Sequence, residues 1–317
     1  MRVLVTGAMG FIGGHVARVL LDEGFEVAVL DDLSSGRLVT LTELVRLGLR
    51  EENVFVTDAT TDEAARAVRR WSPDGLVHLA AQPRVIASTQ DPVRDARTNV
   101  LGTVTMLDAA AHSGQCRVIL ASSGGAVYGE QAGAAAATSE RVQPRPISPY
   151  GLSKATAESY AGVYGALTGL PVSVLRLGNV YGRYLDGSPG PGVLTRFARA
   201  VAAGEAQQVI GDGRQTRDFV HVHDVAEAFR LTVTTTAPVV LNIGSGQETS
   251  VLAALQAVCD ALDAPAKPVH VAPITGEVGR VCLDVSAART KLGWHATVPL
   301  DAGIRDLVKN PAGAVAD

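Results

Sequence analysis

Val3-Leu4-Val5-Thr6-Gly7-Ala8-Met9-Gly10-Phe11-Ile12-Gly13 decides the fold. An apolar strand runs into three glycines spaced Gly-x-x-Gly-x-x-Gly, and a helix opens on the far side. Glycines at that spacing allow a tight turn and close backbone approach, and the amides freed at a helix N-terminus face a pyrophosphate. About twenty residues on, a second apolar run ends in Leu30-Asp31, the place for a carboxylate that accepts bonds from an adenosine ribose. An acid there repels a 2′-phosphate, so the pattern favours NAD over NADP.

Outward from this turn, near-continuous apolar runs recur at residues 3–6, 26–30, 53–57, 75–79, 117–121 and 172–176. Such runs suit parallel strands buried on both faces. Amphipathic stretches at residues 11–23, 62–70, 93–112 and 150–168 lie between them. The alternation predicts an α/β fold with a doubly wound parallel sheet of Rossmann type, whose ligands bind at the C-terminal ends of the strands. Residues 1–178 read as a dinucleotide-binding domain. After about residue 180 the rhythm breaks into a Gly/Pro-rich loop (184–192), a helix (193–203), strands near 208–210 and 241–243 and a helix over 251–262. Residues 179–317 therefore read as a smaller C-terminal α/β substrate domain, with parts near 219–245 packing back on the first. The alanine-rich stretch 132–137 reads as a surface loop and the tail after Lys309 as frayed.

Composition narrows the function classes. The chain has 317 residues, 47% hydrophobic and 19% charged, with net charge −4, which offers no footprint for nucleic acid. Its longest apolar runs are strand-length, too short for a bilayer. The N-terminus opens on Arg2-Val3-Leu4-Val5 with no leader pattern, which reads as cytoplasmic. Cys116, Cys259 and Cys282 lie among apolar neighbours and read as reduced core residues, and His221, His223 and His270 lack ligand spacing, so no metal is expected.

Tyr150-Gly151-Leu152-Ser153-Lys154 places a phenol and an amine four residues apart, on one helix face. A nearby ammonium stabilises phenolate and makes Tyr150 a usable general base.

The glycine spacing, the Tyr-x-x-x-Lys pair and several further segments together resemble the extended short-chain dehydrogenase/reductases, and within them the nucleotide-sugar 4-epimerases of UDP-glucose type. The resemblance covers the chain up to roughly Leu307. It implies that NAD is held by Gly7, Gly10, Phe11, Ile12, Gly13, Asp31, Asp32, Ser35 and Gly36, by Asp58-Ala59 at the adenine, and by Leu79-Ala80-Ala81-Gln82 beneath the nicotinamide ribose. Asn99, Ser122, Tyr150, Lys154 and Val180 complete that set. For the substrate it implies Asn179, Val193, Gln208, Ile210 and Arg217 around a nucleotide diphosphate. Arg84 is placed to reach a C6 carboxylate.

Two departures from the family pattern stand out. The hydroxyl four residues before Tyr128 is missing, because Gly124 occupies its place in Ser122-Ser123-Gly124-Gly125. Ser123 is the first substitute and Ser122 the second. The phosphate-binding arginine is also missing at Ile274 in Ile274-Thr275-Gly276-Glu277, with Arg280 the available replacement. The resemblance implies catalysis by Tyr150, Lys154 and Ser123 on a UDP-hexose (UDP-glucose and UDP-galactose first, UDP-glucuronate or a dTDP-hexose next) in a homodimer. A 4-ketoreductase or dehydratase of deoxysugar chemistry and a non-catalytic NAD-binding relative are the alternatives.

Overall fold

The computed structural model describes residues 1–131 and 136–309. The expected surface loop at 132–137 falls mostly outside the described residues, as does the tail after Lys309. In chain order the strands are β1 (Arg2–Thr6), β2 (Glu26–Asp31), β3 (Val54–Val56), β4 (Gly75–His78), β5 (Arg117–Ser123), β6 (Val172–Leu177), β7 (Asn179–Tyr181), β8 (Gln207–Ile210), β9 (Thr216–His221), β10 (Val240–Ile243), β11 (Glu248–Ser250) and β12 (Pro268–Val271). The helices are α1 (Phe11–Asp22), α2 (Leu38–Arg46), α3 (Asp62–Trp71), α4 (Val85–Gln90), α5 (Pro92–Ala96), α6 (Gly102–Ala111), α7 (Pro149–Thr168), α8 (Val193–Ala202), α9 (Val222–Thr234), α10 (Val251–Ala261), α11 (Ser286–Leu292) and α12 (Leu300–Val308).

Seven parallel strands form the main sheet in the order β10-β6-β5-β4-β1-β2-β3. The order reverses between β1 and β4, which opens a crevice at their C-terminal ends. Alternation along each strand explains why the runs are apolar throughout. Val3, Val5, Val29, Val77, Ile119 and Leu175 pack on one face against α1 and α9. Leu4, Leu30, Leu76, Val118, Leu120 and Val174 pack on the other face, against α3, α6 and α7. The doubly wound sheet is thus the one anticipated from the runs.

The later part of the chain divides its allegiance. A three-stranded sheet (β11-β9-β7), the parallel pair β12-β8 and helices α8, α10 and α12 enclose a separate core around Phe197, Leu255, Val258 and Ile304. Residues 222–243, however, cross back: α9 packs on α1, and β10 pairs with β6 as the sheet's edge. Helix α9 itself was not anticipated, and neither were α2 and α4. The stretch read as one helix over 93–112 is α5 and α6 joined by a π-helical turn, Arg97–Leu101. Such a turn inside a helix recurs at functional sites.

Three imidazoles stack where α1 meets the second region. His15 and His223 have ring centroids 5.1 Å apart, and His221 and His223 4.7 Å. His15 donates from Nε2 to the Arg183 carbonyl at 2.7 Å. Burial pulls His15 and His221 down to about 4, with the neighbouring histidines adding to the drop, and lowers His223 too. His15 and His221 fold neutral, so the unfolded chain takes up protons first on acidification. Their contribution is complete above pH 6.5 and falls away from there towards pH 4, by at most about 1.4 kcal/mol per pH unit for each of these two rings. The melting temperature should therefore drop steeply across that window, and His15→Asn should flatten the slope. An unchanged slope would remove these rings from the acid lability.

Candidate active site

The cofactor end of the site is built by close backbone contact. Gly7 has φ +68, and a Cβ there would lie 2.7 Å from the Ala80 amide nitrogen. Only glycine lets β1 turn against the segment after β4. Helix α1 starts at Gly10 with no side-chain cap, so its first-turn amides are open to an anion. Asp31 is 6% exposed and accepts from Met9 N and Leu33 N, each at 2.9 Å. Burial raises its carboxyl. One bond per oxygen leaves lone pairs for a ribose diol. A Cβ at Gly36 would lie 2.4 Å from Asp31 Oδ1, so that residue also keeps the carboxylate approachable. Asp32 is exposed and accepts from Ser34, and Ser35 lies in the same exposed loop. Asp58 is exposed and anchors the turn before α3 through Thr60 N, with Ala59 buried beside it. The crevice, the uncapped helix and the acid fit a dinucleotide with an unphosphorylated adenosine ribose.

The middle of the site is a wall of committed hydrogen bonds. Thr6 Oγ1 accepts from Leu79 N and Ala80 N, each at 3.2 Å, and contacts His78 Nδ1 at 2.7 Å. The Gln82 side chain does not point outward: its Nε2 donates to Asp95 Oδ1 (2.8 Å) and to the Arg84 carbonyl, while its Oε1 accepts from Arg84 N. Asn99, in the π turn, accepts from Gln82 N at 2.8 Å and donates towards Asp95 Oδ1 and Ser153 Oγ, both at 3.0 Å. Gln82 and Asn99 are therefore braces of the wall. Asp95, 1% exposed, was missed from sequence. Its only signal was a spacing of one helical turn before Asn99.

The chemical end is set by the start of α7. Ser148 caps the helix by accepting from Gly151 N at 3.1 Å, and Pro149 occupies the first position, where its missing N–H costs nothing. Tyr150 thus falls in the first turn of a 20-residue helix, where the positive end of the helix dipole favours phenolate. Alternation along β5 separates the two serines. Ser122 is buried and donates to Glu158 on α7. Ser123 faces the other way, towards the Tyr150 phenol. Of the two serines Ser123 is thus the one on the phenol's side, and Ser122, expected among the cofactor contacts, is committed to Glu158. A Cβ at Gly124 would lie 2.8 Å from Leu283 Cδ1, so a side chain at the family's usual position would have to displace Leu283. At Gly125 a Cβ would lie 3.6 Å from Asn179 Oδ1 and 3.9 Å from Ser123 Oγ, so this glycine opens the space that Ser123 and Asn179 line.

Lys154 Nζ donates to the Ala121 carbonyl at 2.8 Å, and burial pulls it down to about 8 while Asp95 and Glu158 hold it up. Burial pushes Tyr150 up to about 12, with Ser123 opposing and Asp95 adding to the rise.

On the second region, Arg217 is 7% exposed and pairs with Glu277, not with its neighbour Asp218. Asp218 instead accepts from Ser245, Gly246 and Leu283. Arg280 pairs with Glu248 at 2.7 Å. Val193 opens α8, Gln208 (exposed) and Ile210 lie on the adjacent β8, Val180 follows Asn179 on β7, and Arg84 stands exposed before α4. Among the described residues no group of His, Cys, Asp and Glu is arranged to hold a metal ion.

Residues 3–244 match the model of the NAD dependent epimerase/dehydratase family. The chain belongs to that family. It is 39% identical over 314 residues, 98% of both chains, to a UDP-glucose 4-epimerase of Mycolicibacterium smegmatis. A UDP-glucose 4-epimerase of Thermus thermophilus, solved in complex with NAD, superimposes with a TM-score of 0.90 at 37% identity, covering 99% of this chain and 100% of that one. The Thermotoga maritima UDP-glucose 4-epimerase, solved with UDP-glucose, gives 0.89 at 35% identity and 98% coverage of both.

The orientation of the two serines predicts unequal effects. Ser123→Ala should lower kcat about 10²-fold or more, while Ser122→Ala should cost about 1 kcal/mol of stability and leave kcat within a few-fold. Steady-state kinetics and thermal melts check this; the reverse ranking would overturn the assignment.

Proposed function

We propose that this chain is an NAD-dependent nucleotide-sugar 4-epimerase that interconverts UDP-glucose and UDP-galactose through a transient 4-keto sugar. The observation that carries the reading is that Ser123 and Tyr150 share one side of the crevice edge, with glycine and not a carboxylate at positions 124 and 125. Bound NAD supplies a hydride acceptor and donor at the sugar carbon. Ser123 orients the 4-hydroxyl, Tyr150 takes and later returns its proton, and Lys154 holds the nicotinamide ribose once it leaves the Ala121 carbonyl. Arg217 and Arg280 anchor the diphosphate, so the keto sugar can turn over and be reduced on its other face, with Asn179 at the sugar. Dehydration needs an acid to eject water and a base at C5, and Gly124-Gly125 offers neither, which favours epimerisation. Arg84, exposed beside the wall, supports UDP-glucuronate as the second substrate to try.

Purified protein incubated with UDP-glucose, UDP-galactose or UDP-glucuronate, without added NAD, should interconvert 4-epimers by NMR of the anomeric protons. Tyr150→Phe should abolish turnover. Released NADH without epimer would favour a one-way ketoreductase, and full activity of Tyr150→Phe would overturn the catalytic assignment.

The assembly follows from one apolar face. Val93, Leu101, Leu152, Val163 and Leu167 stand exposed along α5, the π turn and α7, Leu167 by 80%. Two such faces pair into a four-helix bundle, so we infer a homodimer. Leu167→Glu together with Val163→Glu should give a monomer by sedimentation analysis; a wild-type monomer at micromolar concentration would refute it.

A further inference from the structure

Asp95 sits on α5 at 1% exposure with no ion-pair partner among the described residues. A buried carboxylate is costly unless something answers its charge, and asparagine would make similar neutral bonds at lower cost. Its Oδ1 receives Gln82 Nε2 and Asn99 Nδ2. Asn99 in turn donates to Ser153 Oγ, which donates to the Tyr150 carbonyl at 3.0 Å. Three bonds therefore lead from Asp95 through Asn99 and Ser153 to the Tyr150 carbonyl in the first turn of α7, and a fourth to Gln82 in the wall. The π turn makes this possible, because it places Asn99 between the helical arm and α7.

We propose that Asp95 is a positioning residue which, through Asn99 and Gln82, fixes the place of the Tyr150–Lys154 pair. The role rests on the catalytic reading of that pair given above. Asp95 is the one group whose charge bears on both partners: it favours the ammonium of Lys154 and disfavours the phenolate of Tyr150. The other charged and titratable groups facing the pair are Glu158, on the same helix as Lys154, and His78, on β4. Glu158 is neutralised by Arg176 at 2.6 Å. Burial holds His78 neutral, its own proton affinity pulled down to about 3. Asp95 is thus the uncompensated charge of the site. It adds to the burial that keeps Tyr150 protonated and opposes the burial that lowers Lys154.

The sign of the effect follows. Activity needs the Tyr150 phenolate together with the Lys154 ammonium, which gives a bell-shaped profile whose two limbs belong to the pair. Asp95→Asn removes a negative charge near both, so both limbs should move to lower pH, by roughly one unit. Ultraviolet difference titration of the substrate-free protein, with Tyr150→Phe as blank, should show the phenolate forming at correspondingly lower pH. Reduced turnover with both limbs and the titration unmoved would overturn the proposal, as would limbs moving in opposite directions. If Asp95→Asn does not fold, Asp95→Glu decides. With the charge retained, the limbs should stay in place while kcat falls through misplacement, and limbs that move would overturn the role. An active Tyr150→Phe enzyme would sink the catalytic reading itself; a dead one beside an unmoved Asp95→Asn profile would sink only this inference.

Discussion

The Thr6 hydroxyl is the smallest part on which the site depends. It lies at the end of β1, where the sheet order reverses, and takes two backbone amides from the segment after β4. With both lone pairs occupied, its proton goes to His78 Nδ1, which fixes that imidazole as the Nε2–H tautomer. The strands on either side of the crevice are thereby locked in register beyond their last ladder bonds. Gly7, against the Ala80 amide, needs that lock, since a shift of a few tenths of an ångström would either open the turn or force a clash. A hydroxyl with two acceptor sites and one donor can serve all three partners, which valine of the same shape cannot.

A second buried set holds the chemical end. Arg176 on β6 grips Glu158 on α7 and donates to the Tyr128 hydroxyl at 2.9 Å; Tyr128 donates to Asn242 on β10 at 2.7 Å, and Asn242 Nδ2 donates to the Thr138 carbonyl at 2.8 Å. Buried ion pairs contribute little net stability, but a network in which each member is satisfied admits one arrangement. Here it selects the rotation of α7. Ser122 completes Glu158, so Ser123 must face the crevice, and Leu283, packed with Val127 and Tyr128, closes over Gly124. The departure from the family's hydroxyl position is therefore a consequence of the packing behind the strand.

Strands buried on both faces are near-uniform in sequence, which is why the doubly wound main sheet was legible. The glycine turn, Asp31 and the Tyr150 helix were legible because their chemistry is local. Helix α9 was not, because Val222–Thr234 follows the segment read as substrate loop and buries both its apolar face and Asp224, which is spent on Thr297 and Val298 amides. The partition between Ser122 and Ser123 was open because strand alternation says only that they oppose, not which side α7 takes. The resting partner of Lys154 was hidden by the same limit: helical spacing puts it on one face with Tyr150, but the Ala121 carbonyl that receives it belongs to a strand distant in sequence. Asp95 and Glu277 were invisible because a carboxylate's burial is decided by tertiary contacts.

The resting electrostatics of the two ends have a common logic. Tyr150 is held protonated by burial, and Lys154 is satisfied by a backbone carbonyl. Arg217 and Arg280 are satisfied by Glu277 and Glu248. The cations of this end are thus paired, and Asp95 has no ion-pair partner among the described residues. Under the proposed function a ligand improves on these arrangements when it brings two separated anionic groups to the arginines and a hydroxyl to Ser123, because a single charge cannot compete with a carboxylate already in place. Discrimination then comes from existing partners that must be displaced or shared.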